Sequence, residues 1–171
     1  MSELILAIDP GNIESAFCFV ERDTYKPVYF EKIKNNEARS RIWDYIFQQN
    51  HNVRFAAIEM VASYGMAVGK TVFDTCVWIG RFTEMLENSG ISVSYIYRKD
   101  EKMAICGQMK AKDSNIRAAL IDRFAKFDFT NGKGTKKNPD WFFGFKADVW
   151  ASYAVATTYL DIVNGRYRTY D

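Results

Sequence analysis

The segment that most constrains this chain is Leu4-Ile5-Leu6-Ala7-Ile8-Asp9, followed at once by Pro10-Gly11-Asn12. Five apolar residues in succession, rich in Ile and Leu, read as a strand buried on both faces. Proline and glycine then break it into a turn. The strand ends on a carboxylate, and a charge at the rim of an apolar sheet is costly unless a metal or a cluster of donors meets it. Asp before Pro-Gly is also ordinary turn chemistry, so on this segment alone both roles for Asp9 stay open.

The 171 residues are read as one domain, 1–171, long enough for a sizeable core. Thirteen Phe, ten Tyr and four Trp argue for a folded, well-packed chain. No run of eighteen apolar residues and no basic-then-apolar leader occurs, so no membrane association and a cytoplasmic location are expected. Cys18, Cys76 and Cys106 are odd in number and widely spaced, which disfavours a disulfide framework or a zinc knuckle. His51 is the sole histidine, which removes Ser-His-Asp and Cys-His catalysis and multi-histidine metal sites. An active site here is built from carboxylates, lysines or hydroxyls.

Net charge is +2, but its distribution is uneven: Arg98 to Lys137 holds 11 Lys and Arg against 5 Asp and Glu. A basic segment on a mildly acidic body fits a phosphate-binding face, and it also fits a solvated loop and helix.

Apolar alternation predicts further strands over Ser15–Val20, Pro27–Ile33, Phe55–Glu59 and Ile91–Tyr97. Short links between the first three favour an antiparallel meander. Helical spacing predicts helices over Glu37–Gln49, about Val68–Asn88, Ser114–Lys126 with Asp113 as N-cap, and roughly Lys146–Val163. Residues 130–139 are expected to be a mobile basic loop. The order, three strands, helix, strand, helix, strand and two helices, is that of the ribonuclease H-like fold: an α/β architecture with a five-stranded mixed sheet flanked by helices. In that arrangement strands one and four are neighbours, and Asp9 and Glu59 stand at corresponding ends, close enough to share a divalent cation.

Two adjacent carboxylates repel unless a cation or a proton joins them. Asp148, at the start of the final helix, adds a third acid where the helix dipole favours negative charge, although a first-turn acid has that role without any metal. Oxygen-only ligands suit Mg2+ or Mn2+, and two such ions can activate a water and stabilise the leaving oxygen in phosphodiester hydrolysis.

Ile8-Asp9-Pro10-Gly11, Ala57-Ile58-Glu59 and Lys146-Ala147-Asp148-Val149-Trp150-Ala151 resemble the three acidic motifs of the RuvC family of Holliday-junction endonucleases. Cys106-Gly107-Gln108-Met109-Lys110-Ala111-Lys112-Asp113-Ser114-Asn115-Ile116-Arg117 is similar to the loop-to-helix region of its phage-encoded branch. The resemblance implies a structure-selective endonuclease that resolves four-way DNA junctions, acts as a homodimer and uses Mg2+ or Mn2+, two ions per site. Its metal ligands would be Asp9, Glu59 and Asp148, with Lys146 as a further catalytic candidate at the scissile phosphate. A phage-encoded enzyme would act in the host cytoplasm. The bacterial relatives carry an additional Asp or His three residues before the last acid, and here that place is Phe145. Glu14 and Asp140 are candidate substitutes, and neither fits the usual position.

Lys110, Lys112, Arg117, Lys133, Lys136 and Lys137 are candidate phosphate contacts, which bind without reading sequence. Tyr64 could stack on a base or serve as a core or lid aromatic. The helix bearing Trp78 and Phe82 is a candidate dimer surface or simply core. Gly65-Met66-Ala67-Val68-Gly69-Lys70-Thr71 falls short of a phosphate-binding P-loop, since Tyr64 stands where its first glycine belongs, so no nucleotide cofactor is expected. Two alternatives remain: a nuclease for other branched or flapped DNA, and a junction-binding module with weak catalysis, motivated by Phe145.

Overall fold

The computed structural model describes residues 1–169. Its centre is a five-stranded sheet in the order β3-β2-β1-β4-β5, formed by β1 (Leu4–Asp9), β2 (Glu14–Glu21), β3 (Pro27–Lys34), β4 (Val53–Met60) and β5 (Ser92–Tyr97). The first three strands form the expected antiparallel meander, while β4 and β5 run parallel to β1. This is the ribonuclease H-like arrangement.

The parity of β1 decides what each side of the sheet carries. Ile5 and Ala7 face one layer, with Cys18, Ala57 and Ile96 from neighbouring strands. That layer is covered by α4 (Asp113–Phe124) and α5 (Val149–Val163). Leu6 and Ile8 face the other layer with Phe17, Phe19 and Ile58. There α1 (Asn35–Trp43) and α2 (Lys70–Asn88) supply Ala38, Ile42, Ile79, Phe82 and Leu86. Beyond Trp43 the first helix widens into a π-helical turn, Asp44–Gln48, rather than continuing as α-helix to Gln49.

α5 lies against the central strands and is buried nearly all round, including Val149, Tyr153, Ala156 and Leu160 of the expected packing stripe. Away from the acidic end of the sheet it is pegged by Asp161, which accepts both guanidinium nitrogens of Arg123 at 2.8 and 2.9 Å and the Tyr25 hydroxyl at 2.8 Å.

One helix was not foreseen. Arg98–Cys106, part of the basic segment for which the sequence predicts no helix at this place, forms α3 directly after β5. Gly107 closes it in the left-handed conformation, at φ 71°, as a helix C-terminus commonly requires. The loop of residues 130–139 is likewise not free. Asp128 accepts backbone N–H groups from Thr130, Asn131, Lys133 and Gly134. Asp140 accepts those of Lys126, Phe127, Asp128 and Trp141, which holds its carboxyl down at about 2. Gly134 sits at φ 63° where a Cβ would collide with the backbone of Asn138 and Asp140. Two carboxylates thus fasten the loop to the end of α4.

Candidate metal and nucleic-acid site

Because side chains alternate along a strand, Asp9 follows Ile5 and Ala7 onto the α5 face. The parallel register Ala7↔Ala57 and Ile8↔Ile58 brings Glu59 to the next step beside it, on the same face. Asp9 pairs across β2 with Ala16, which pairs with Lys32 on β3. One row across the sheet therefore reads lysine, alanine, aspartate, glutamate.

Burial and the adjacent Glu59 carboxyl push the Asp9 carboxyl up to about 9, with Asp148 adding to the repulsion and Arg98 opposing it. Such a shift is what two unpaired acids in a poorly solvated place produce. Asp148 takes the N-cap position of α5, but its side chain caps nothing. It extends to Lys32, whose Nζ lies 2.6 Å from Oδ2. Ala147 just before it adopts φ 49°, a left-handed conformation uncommon for alanine, at the turn into the helix. Lys146, the expected phosphate contact, is exposed at that turn.

A fourth acid stands with these three. Glu101, in the first turn of α3, is completely buried, and its Oε2 has no hydrogen-bond partner among the described residues. Burial comes first and the Glu59 carboxyl second in holding its proton, with Asp9 adding to the effect. Arg98 reaches Glu101 Oε1 at 3.4 Å and also pairs with Asp113 at the start of α4. Sequence reading passes over Glu101 because it lies in Arg98-Lys99-Asp100-Glu101-Lys102, which has the look of a solvated charged run. The available signal is its position, shortly after the last buried residue of β5, Ile96, and so at the same end of the sheet as Glu59.

The two substitutes considered for Phe145 have other work. Asp140 is consumed by backbone N–H groups as described, and Glu14 is an exposed acid 4.0 Å from Lys32. Phe145 itself is buried in an aromatic cluster with Phe30, Phe142, Trp150 and Tyr153.

The donor set is all oxygen, which fits Mg2+ or Mn2+. Among the described residues no three acid, Cys or His side chains already converge as a coordination cluster. The Lys32 ammonium occupies Asp148, and the proton that the raised Asp9 carboxyl keeps relieves its repulsion with the neighbouring acid. The buried Glu101 oxygen without a donor among the described residues and the raised Asp9 mark a place where negative charge is costly until a cation meets it, so the residues fit a divalent cation.

The six basic candidates separate into two groups. Lys110, Lys112 and Arg117 stand at the start of α4, which Arg98 ties to the acids. Arg117 and Asp148 line one groove of about 180 Å3, and the Arg117 guanidinium lies 5.1 Å above the Trp150 ring. Lys133, Lys136 and Lys137 belong to the clamped loop beyond the other end of α4, one helix length, about 18 Å, away. Tyr64 is 67% exposed on the segment after β4, at φ 49°, followed by Gly65 at φ 79°. It is not a core aromatic.

No family model and no curated protein matches this sequence. Solved structures do match its fold. Thermus thermophilus RuvC superposes with a TM-score of 0.69 at 13% identity, covering 95% of this chain and 96% of that one. The fold is RuvC-like. A second structure, T. thermophilus RuvC in complex with a Holliday junction substrate, superposes with a TM-score of 0.68, again at 13% identity and over 95% and 96% of the two chains. The RuvC-like fold therefore extends over almost the whole chain, β1 through α5, and carries Asp9, Glu59 and Asp148 on its β1, its β4 and the start of its α5.

Proposed function

We propose that this chain is a Mg2+- or Mn2+-dependent endonuclease that resolves four-way DNA junctions. The observation that carries the reading is the pair Asp9 and Glu59, side by side on one face of the sheet and buried enough to push the Asp9 carboxyl up to about 9. The RuvC-like fold, one example of which binds a Holliday junction, supports the choice of substrate.

In this reading Asp9, Glu59 and Asp148 hold the metal, Asp148 exchanging Lys32 for it. The bound ions would supply water activation and charge neutralisation at the scissile phosphate. Arg117, lining the same groove, and Lys112, just before α4, hold backbone phosphates in register with the acids. Lys146, exposed on the turn before Asp148, contacts the phosphate being cut. Tyr64, projecting past the end of β4, stacks on a base near the branch point. Lys133, Lys136 and Lys137 reach a more distant part of a duplex arm, for which their ordered loop is a rigid support.

A homodimer belongs to this proposal, since a four-way junction presents two symmetric strands. Phe73 and Val77, 60% and 59% exposed one turn apart on α2, offer apolar surface for a second copy to cover. A phage origin and action in the host cytoplasm also belong to it. Among the described residues no helix is long and apolar enough to cross a membrane.

The test uses a labelled four-way junction, a flap and a linear duplex, each with and without Mg2+ or Mn2+, with Asp9→Asn beside the wild type. Paired symmetric nicks in the junction alone, absent in the variant, are expected. Preferred cutting of the flap would reassign the substrate. Tight junction binding with no cutting in either metal would replace the enzyme with a junction-binding module.

A further inference from the structure

The geometry points to Glu101 as the fourth acidic group of the metal site, taking the place that Phe145 vacates. This inference rests on the metal-dependent reading above and adds a residue to it.

A fully buried carboxylate with an oxygen that no donor meets is among the costliest things a fold can keep. Its one donor among the described residues, Arg98, is stretched to 3.4 Å and shared with the exposed Asp113. Its other polar neighbours, Glu59 and Asp9, are acceptors themselves and cannot satisfy it when ionised. A water would donate two hydrogen bonds and leave the charge in place, whereas a cation answers all three carboxylates together. When ionised, Asp9, Glu59 and Glu101 face the Arg98 guanidinium, which Asp113 also draws on, so negative charge remains for a divalent ion to meet.

The fold explains how the side chain arrives there. β5 ends at Tyr97, paired with Met60 one step past Glu59, and α3 begins at the next residue. The first turn of α3 thus stands over the end of β4, where Glu101 can reach Glu59. On the other side of the site, the position three residues before Asp148 carries Phe145, whose ring is fully engaged by Phe142, Trp150 and Tyr153. An acid is missing from the segment leading into α5 and present on α3. The site has been recomposed around a different helix.

The competing account makes Glu101 a structural partner that positions Arg98. The two accounts differ in what they say about metal-free protein, so the experiment measures Mn2+ binding without DNA. Wild type, Asp9→Asn and Glu101→Gln are titrated with Mn2+ by calorimetry, and their melting temperatures are followed in EDTA and in Mn2+. We expect Glu101→Gln to weaken Mn2+ binding about tenfold or more and to shrink the Mn2+-induced rise in melting temperature. Its melting temperature in EDTA should hold, because Glu101 keeps its proton in the metal-free site and the amide offers a donor to Glu59 in its place. A fall in the EDTA melting temperature with unchanged Mn2+ affinity would make Glu101 the Arg98 partner and overturn the inference. If Asp9→Asn abolishes Mn2+ binding while Glu101→Gln leaves it intact, the inference fails and the metal site stands. If the wild type binds no Mn2+, both fall. Should Glu101→Gln not fold, as judged by circular dichroism, Glu101→Asp takes its place. Shortening the side chain while keeping its charge must then lower the affinity, and an unchanged affinity would overturn the inference.

Discussion

The metal-free protein is expected to lose stability as the pH rises through neutrality. In the folded chain the Asp9 carboxyl is pushed up to about 9, against 3.8 for an ordinary aspartate. Between these values the folded state holds a proton that the unfolded state has released. The contribution is fully present below about 3.8 and is lost progressively as pH rises towards 9. Each such proton gives a slope on the order of −1 kcal/mol per pH unit, or about 3 kcal/mol between pH 6 and 8. Glu101, whose carboxyl burial also raises well above the usual range, adds in the same direction. Against a total stability of about 5–15 kcal/mol this is a large effect. Asp128 and Asp140 are shifted the opposite way. Their contributions are present above the ordinary aspartate range and lost only in acid, so they leave the interval from pH 6 to 8 flat. The assay is urea denaturation followed by circular dichroism at pH 6, 7 and 8 in EDTA, with Asp9→Asn beside the wild type. The variant should show a clearly shallower decline. A wild-type stability that is level or rising over this interval, or a slope that Asp9→Asn leaves unchanged, would refute the account of the acid cluster. With saturating Mg2+ the trend should reverse, because the cation binds the ionised carboxylates and its contribution grows with pH.

Two further outcomes test other parts of the structure. Phe145→Ala should cost about 3–5 kcal/mol in urea denaturation, since it empties the centre of an aromatic cluster; a loss under about 1 kcal/mol would mean the ring is not a core element. Neutralising Lys112 or Arg117 should lower the salt dependence of junction binding by about one unit of log K against log salt for each phosphate left without its cation. An unchanged slope in a fluorescence-anisotropy titration at several salt concentrations would remove these residues from the interface.

Much of the architecture was legible in the chain because it is written in local pattern. The run Leu4–Ile8 could only be a buried strand, and the meander follows from the short links between three alternating segments. Asp9 and Glu59 were legible for the same reason: each is the first carboxylate after an apolar run, and each keeps the parity of an inward alanine, Ala7 and Ala57. Asp148 stands at a helix start as its sequence suggests, but its engagement with Lys32 is not legible there, because β3 and the start of α5 lie far apart in the chain and meet only in the fold.

What the sequence could not disclose depends on contacts between distant residues. The loop of residues 130–139 has the composition of a mobile segment, yet Asp128 and Asp140 outside it collect its backbone N–H groups and those of the chain leading into it. Composition does not register a backbone donor, so that order was invisible. Phe145 reads as a lost ligand, and only the packing of Phe30, Phe142, Trp150 and Tyr153 around it shows that the position became core. Glu101 is the clearest case. In the sequence it is one charge in a polar run. In the fold it is wholly buried beside Glu59, because α3 starts where β5 stops and turns its first residues over the acidic end of the sheet. Local pattern determined which strands exist and which acids end them. The meeting of elements far apart in the chain decided which charges are exposed to water and which are held together without it.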